Sequence, residues 1–111
     1  MALTVNPGVK QTLTEFTAPI SGNRFVKADG TLCGAGEKPL GISMHDVDAE
    51  SKTLGLCLTG IWTVVAGGTC TKNNECESDA NGKAVNLSTG KSCGVLMDSG
   101  STGQEVRVCI R

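Results

Sequence analysis

An Asx-Gly turn followed eleven or twelve residues later by Gly-(Ile/Val)-x-Met occurs twice in this sequence. The first copy pairs ADG (28–30) with Gly41, and the second pairs ANG (80–82) with Gly94. Each copy then passes through an acidic, polar loop into a strand-like segment holding Cys57 or Cys109. That cysteine lies sixteen residues after the glycine in the first copy and fifteen in the second. Such ordered recurrence implies two similar β units, at about residues 24–60 and 75–111, packed around a pseudo-twofold axis. Two short β units that share a core make a small β-barrel or sandwich.

The local signals agree with an all-β domain. The segment TLGLCLTGIWTVV (53–65) alternates, with Leu54, Leu56, Leu58, Gly60, Trp62 and Val64 on the more apolar face. Cys57, Thr59 and Thr63 fall on the opposite face, which is expected to meet solvent or a partner, and Gly60 marks a bend. EVRVCIR (105–111) alternates more cleanly, with Val106, Val108 and Ile110 against Glu105, Arg107, Cys109 and Arg111. The Asx-Gly pairs are of the kind that closes type I′ hairpins, and PISGN, GAGEKPLG and GSTGQ supply further connections. Helical spacing of Val9, Leu13 and Phe16 is the main competing signal, and the Thr-rich stretch around them fits a strand as well. At 111 residues the chain is one domain, with residues 1–19 an N-terminal extended arm or edge strand and 20–111 the β domain.

Composition removes several function classes. The net charge is −1 with no block of like charge, so the basic stripe of a nucleic-acid binder is absent. Phe16, Phe25 and Trp62 are the only aromatics, which leaves no stacking platform for bases or sugars. No segment approaches the roughly 18 apolar residues of a membrane helix. The opening MALTVNPGVKQTLTEF has neither a basic n-region nor an apolar h-region, so synthesis and retention in a cytoplasm are expected. The six cysteines are then expected as free thiols.

Catalytic and metal-binding patterns fail one by one. His45 is the only histidine, and nothing in the sequence assigns it an orienting partner or nucleophile; it reads as a surface residue. The cysteines contain no C-x₂-C pair, so no tetrahedral zinc set assembles. Cys70 and Cys76 are the nearest pair; Cys76 is expected as an apolar filler near the position Phe25 holds in the first unit, and Cys70 as exposed. Asp46, Asp48 and Glu50 resemble the start of a calcium loop but lack its Gly and bidentate Glu. TGKS (89–92) lacks the first glycine of a phosphate loop, since Val85 stands there. A biotinyl or lipoyl carrier would need a lysine where Asp98 stands. No catalytic residue, cofactor site or metal site is expected.

LTGIWTVVAGG, SDANGKAV and GVLMDSGSTGQEVRVCI closely resemble the strand–turn pattern of bacteriophage capsid cement, or head decoration, proteins. VKADGTLCGAGEKPLGISMHD resembles the first half of the same pattern, so the resemblance spans about residues 20 to 111. It implies a small, all-β, non-enzymatic virion protein, made in the bacterial host cytoplasm, that binds the capsid exterior. The implied partners are the major capsid protein and further copies of the chain, with a homotrimer favoured, and neither nucleic acid nor membrane. The thiol-bearing GTCTKNNEC departs from the plainer loop of that pattern. Outside the repeat, Leu3, Val5, Pro7, Val9, Leu13 and Phe16 are the candidate capsid interface, as an arm that adds a strand to a capsid-protein sheet. Pairing of the same segment within its own barrel is the equal alternative. The runners-up are another phage head or tail structural protein, and a small-ligand-binding or hydrolytic β-barrel with His45 and a thiol in its pocket.

Overall fold

The computed structural model describes residues 5–16, 19–48, 50 and 52–110. Leu3 of the candidate interface lies outside them. Among the described residues ten strands run in chain order: β1 (Asn6–Pro7), β2 (Lys10–Leu13), β3 (Phe25–Val26), β4 (Gly41–Ser43), β5 (Leu54–Cys57), β6 (Gly60–Val65), β7 (Glu75–Ser78), β8 (Ala84–Asn86), β9 (Gly94–Leu96) and β10 (Glu105–Ile110). No helix occurs among the described residues. One sheet has the order β1-β6-β10-β9-β7-β8 and the other β2-β5-β4-β3. The larger sheet curls until β8 meets the chain leaving β6: Ala66 and Ala84 form a parallel bridge, and Gly67 N–H donates to Ala84 C=O at 2.9 Å. A curled sheet closed by a second sheet is the small barrel-like, all-β architecture that the alternation implies.

The stretch 53–65 is two strands rather than one. The chain crosses from the smaller sheet to the larger between Cys57 and Gly60, and Gly60 takes φ +97° there. The expected outward face is therefore wrong in part: Cys57 is buried, its Sγ donating to Thr59 C=O at 3.2 Å, and Thr63 is buried too. A period of two predicts one wet face only while a strand stays in one sheet. This ribbon bends between two sheets and is covered on both sides.

The N-terminal segment pairs along the same ribbon. Asn6 faces Ile61, Pro7 faces Gly60, and Lys10 to Leu13 face Cys57 to Leu54 in one continuous antiparallel register. β1 and β2 are thus edge strands of their two sheets. The extended conformation, not a helix, is what the Val9–Leu13–Phe16 spacing became, because the backbone of 54–61 supplies the ladder partners.

Pairing repeats between the two halves. Gly41 faces Val26 as Gly94 faces Cys76; Ile42 faces Cys57 as Val95 faces Cys109; Ser43 faces Leu56 as Leu96 faces Val108. The two glycines answer one steric demand: a Cβ on Gly41 would stand 2.6 Å from Cys57 O, and one on Gly94 2.5 Å from Cys109 O. By this register Cys76 matches Val26, one residue from the expected Phe25, and it is a buried filler.

Both Asx-Gly turns close hairpins, but not as type I′. Gly30 and Gly82 have positive φ (82° and 74°), whereas Asp29 and Asn81 do not. A type I′ turn needs both central residues there. Instead an aspartate organises each loop: Asp29 Oδ1 accepts from Thr31 N–H and Oγ1–H, and Asp79 Oδ1 accepts from Asn81 and Lys83 N–H.

Two clusters make the core. The larger gathers Phe25, Ile42, Val64, Leu96, Val106 and Val108 with five cysteines, and the smaller gathers Ile20, Val26, Val47, Leu54 and Leu56. Each large side chain so buried contributes about 1.5–3 kcal/mol. Cysteines stand here as small hydrophobes where few aromatics are present to fill space.

Candidate docking surface

The seam between the halves opens into a groove of about 350 Å³. Its walls come in register-matched pairs: Gly41 with Gly94, Leu40 with Cys93, and Leu58 with Ile110. Lys38 and Glu75 line the same groove, so the apolar seam carries one charge of each sign. Val9 and Leu40 are the exposed large hydrophobics among the described residues, at 56% and 37%. Val9 C=O accepts the amide of Leu58 at 2.8 Å, which ties the exposed N-terminal valine to a groove wall.

The candidate interface residues therefore divide. Val9 is exposed beside the groove, while Val5 and Pro7 are half-buried. Leu13 and Phe16 are half-buried against the smaller core cluster. Leu40, Leu58 and Ile110 were not singled out by sequence reasoning. Leu40 had a signal: it is an apolar residue between Pro39 and Gly41 in an otherwise polar connection. Leu58 and Ile110 had none, because alternation assigns them to a core face and only the pairing of two sheets brings them to the seam.

The thiols are arranged for packing. Burial raises the Cys33, Cys57, Cys70 and Cys76 thiols above their ordinary value. Burial, with the neighbouring Cys33 adding to it, pushes Cys93 up to about 12. Thiols held protonated at neutral pH are poor nucleophiles and poor metal ligands. Cys70, expected as exposed, is buried: the loop folds back so that Cys70 and Gly100 exchange backbone hydrogen bonds (2.9 and 3.0 Å), and Sγ donates to Ala84 C=O at 3.3 Å. Thr71 to Asn74 form the exposed connection beyond it.

His45 lies outside the groove lining. Its Nε2 accepts from Gly55 N–H at 3.0 Å, and its Nδ1 lies 3.2 Å from Asp46 C=O. Both ring nitrogens are engaged with backbone, which leaves none for a substrate. Asp46 Oδ1 caps Gly22 N–H at 2.6 Å and Asp48 Oδ1 accepts from Glu50 N–H at 3.0 Å, so two of the calcium-like carboxylates serve the backbone. Among the described residues no group of three or more His, Cys, Asp or Glu side chains converges as a metal set. No helix among them is long and apolar enough to cross a membrane.

One ion pair braces the rim of the larger sheet. Asp98 accepts from Arg107 N–H and Nε–H with one oxygen and from Nη2–H with the other, each at 2.9 Å. These hydrogen bonds hold the Asp98 carboxyl below its ordinary value. Asn23, at φ +57°, uses its side-chain oxygen to receive Trp62 Nε1–H (3.1 Å) and Thr63 Oγ1–H (3.2 Å), while its carbonyl receives Val65 N–H.

Against known proteins, no family model matches the chain and no curated sequence matches it. Among solved structures it is similar to the head fiber gp8.5 N base of bacteriophage phi29. That likeness has a TM-score of 0.75 over 93% of each chain at 18% identity. At that identity the likeness establishes the fold.

Proposed function

We propose that this chain is a structural protein of a bacteriophage head that sits on the outside of the assembled shell and stabilises it. The observation that carries the reading is the fold likeness to a phage head fiber base along nearly the whole chain. That likeness supports the broader expectation, a head structural protein, more directly than a cement role. The cement role adds a physical argument. A shell under pressure from packaged DNA yields at the seams between subunits, and a rigid block bridging a seam adds interface with no chemistry. Many equivalent copies multiply a modest contact.

The proposed partner is the major capsid protein, with a homotrimer as the favoured assembly of the chain itself. The contact surface is the N-terminal ribbon around Val9 together with Leu40 and the groove mouth. Because β1 and β2 are edge strands, a capsid strand can add beyond them without displacing any pairing among the described residues.

Co-sedimentation with empty shells tests the reading. The wild-type chain is expected to pellet with shells, and Val9→Asp with Leu40→Asp is expected to weaken binding at least about tenfold while thermal unfolding moves little, since both positions are exposed. Quantitative mass spectrometry of purified particles separates the finer roles: hundreds of copies fit decoration, a ring-sized number fits a connector or tail part. A chain that neither pellets with shells nor appears in particles ends the proposal.

A further inference from the structure

Cys33 and Cys93 are neighbouring thiols, one on each side of the seam between the halves. Cys33 Sγ–H donates to Glu37 C=O at 3.1 Å, and Cys93 Sγ lies between that oxygen at 4.0 Å and Lys91 C=O at 3.8 Å. Both residues are buried in the larger cluster, one contributed by each half of the chain. Their loops pack backbone against backbone: Gly36 N–H donates to Ser78 C=O, Lys91 N–H donates to Gly36 C=O, both at 2.9 Å, and a Cβ on Gly90 would lie 2.3 Å from Gly36 Cα. The sulfurs of Cys57 and Cys70 point elsewhere, to the carbonyls of Thr59 and Ala84. Cys93 also lines the groove, which makes the groove the route from solvent to this pair.

We propose that Cys33 and Cys93 are a latent disulfide pair, closed by thiol–disulfide exchange with a low-molecular-weight disulfide that enters through the groove. The Cys93 thiolate attacks one sulfur of that disulfide, forming a mixed disulfide and releasing one small thiolate. Cys33 then attacks the Cys93 sulfur, forming the protein disulfide and releasing the second small thiolate. The two protons lost by the cysteines end on the two released thiols. Two protein thiols are oxidised and one small disulfide is reduced. Sharing one acceptor places the two sulfurs no more than about 7 Å apart, a gap that side-chain rotation has to close for a disulfide to form. Closure staples the first half to the second and locks the seam.

The test uses the wild-type chain, incubated with oxidised glutathione and mapped by mass spectrometry without reduction. The expected product is a linked Cys33–Cys93 peptide pair with two fewer titratable thiols per chain. The midpoint of thermal unfolding is expected to rise by roughly 10 °C and to return on adding reductant. The rate is expected to climb about tenfold per pH unit near neutrality, since the thiolate is a small fraction of a strongly raised thiol. Cys33→Ala is expected to stop at a glutathione adduct on Cys93. A linked pair of other cysteines such as Cys76–Cys93, a stable adduct on the wild type without closure, or a full thiol count after prolonged incubation would overturn the proposal.

Discussion

Replacing Gly60 with alanine is expected to lower stability by about 3–5 kcal/mol, and the structure supplies each part of that figure. Gly60 has φ +97°, where an L-residue costs about 1–2 kcal/mol. The new Cβ would stand 2.3 Å from Gly8 N, 2.5 Å from Asn6 O and 3.0 Å from Pro7 C. All three are backbone atoms, so no rotamer relieves the clash, and β1 must lift from β6. Lifting forfeits the Gly8 N–H bond to Thr59 C=O (2.8 Å) and the Val9 N–H bond to Thr59 Oγ1 (2.9 Å). Each is worth about 1 kcal/mol net, and lost packing adds the remainder. Gly103→Ala is the control: its φ is +88°, but nothing lies within 4 Å of the new methyl, so only the backbone strain of about 1–2 kcal/mol is expected. Urea denaturation read at constant m-value measures both losses, and amide exchange at Gly8 and Val9 reports detachment of the N-terminal strand. Equal losses for the two variants, or unchanged exchange at Gly8 in Gly60→Ala, would refute the steric argument.

Two further outcomes follow from the rim and the Asn23 bracket. Because Arg107 depresses the folded-state value of Asp98 below 3.8, the pair's stabilisation is fully present above about pH 4 and is lost as the pH falls through the depressed value. Asp98→Asn is expected to cost about 1 kcal/mol at pH 7 and to flatten the acid limb of a stability–pH curve; an unchanged acid limb contradicts the assignment. Asn23→Ala is expected to cost about 2–3 kcal/mol, since it removes the acceptor of Trp62 and Thr63 and places alanine at positive φ. Asn23→Gly should recover the backbone share only, and Trp62 fluorescence should shift in both variants.

Turn chemistry and alternation carry a long way here because they are local. Asp29 with Gly30 and Asp79 with Gly82 close their hairpins through atoms within four residues, so their sites were legible even though the turn type was not. Gly60 was legible as a bend because only glycine fits φ +97° at low cost. Cys57 and Cys70 were misread for one shared reason. Burial of a small side chain depends on what distant segments cover it, and here Cys57 packs into the larger core cluster while the Gly100 loop pairs with the backbone of Cys70. Nothing within either stretch carries that information.

The candidate surface divides the same way. Val9 stood out as an apolar residue in a segment outside the repeat, but whether Leu13 and Phe16 share its exposure was set by the smaller core cluster they pack against. Sequence alone determined that this chain is an all-β domain with glycine-punctuated hairpins and no legible catalytic pattern, because periods, turns and motifs are short-range properties. Tertiary structure alone decided that 54–65 divides between two sheets, that the N-terminal segment pairs on their edges, and that Leu40, Leu58, Cys93 and Ile110 meet at one seam. Those facts depend on contacts between residues far apart in the chain, and a two-residue period cannot say which sheet a strand joins.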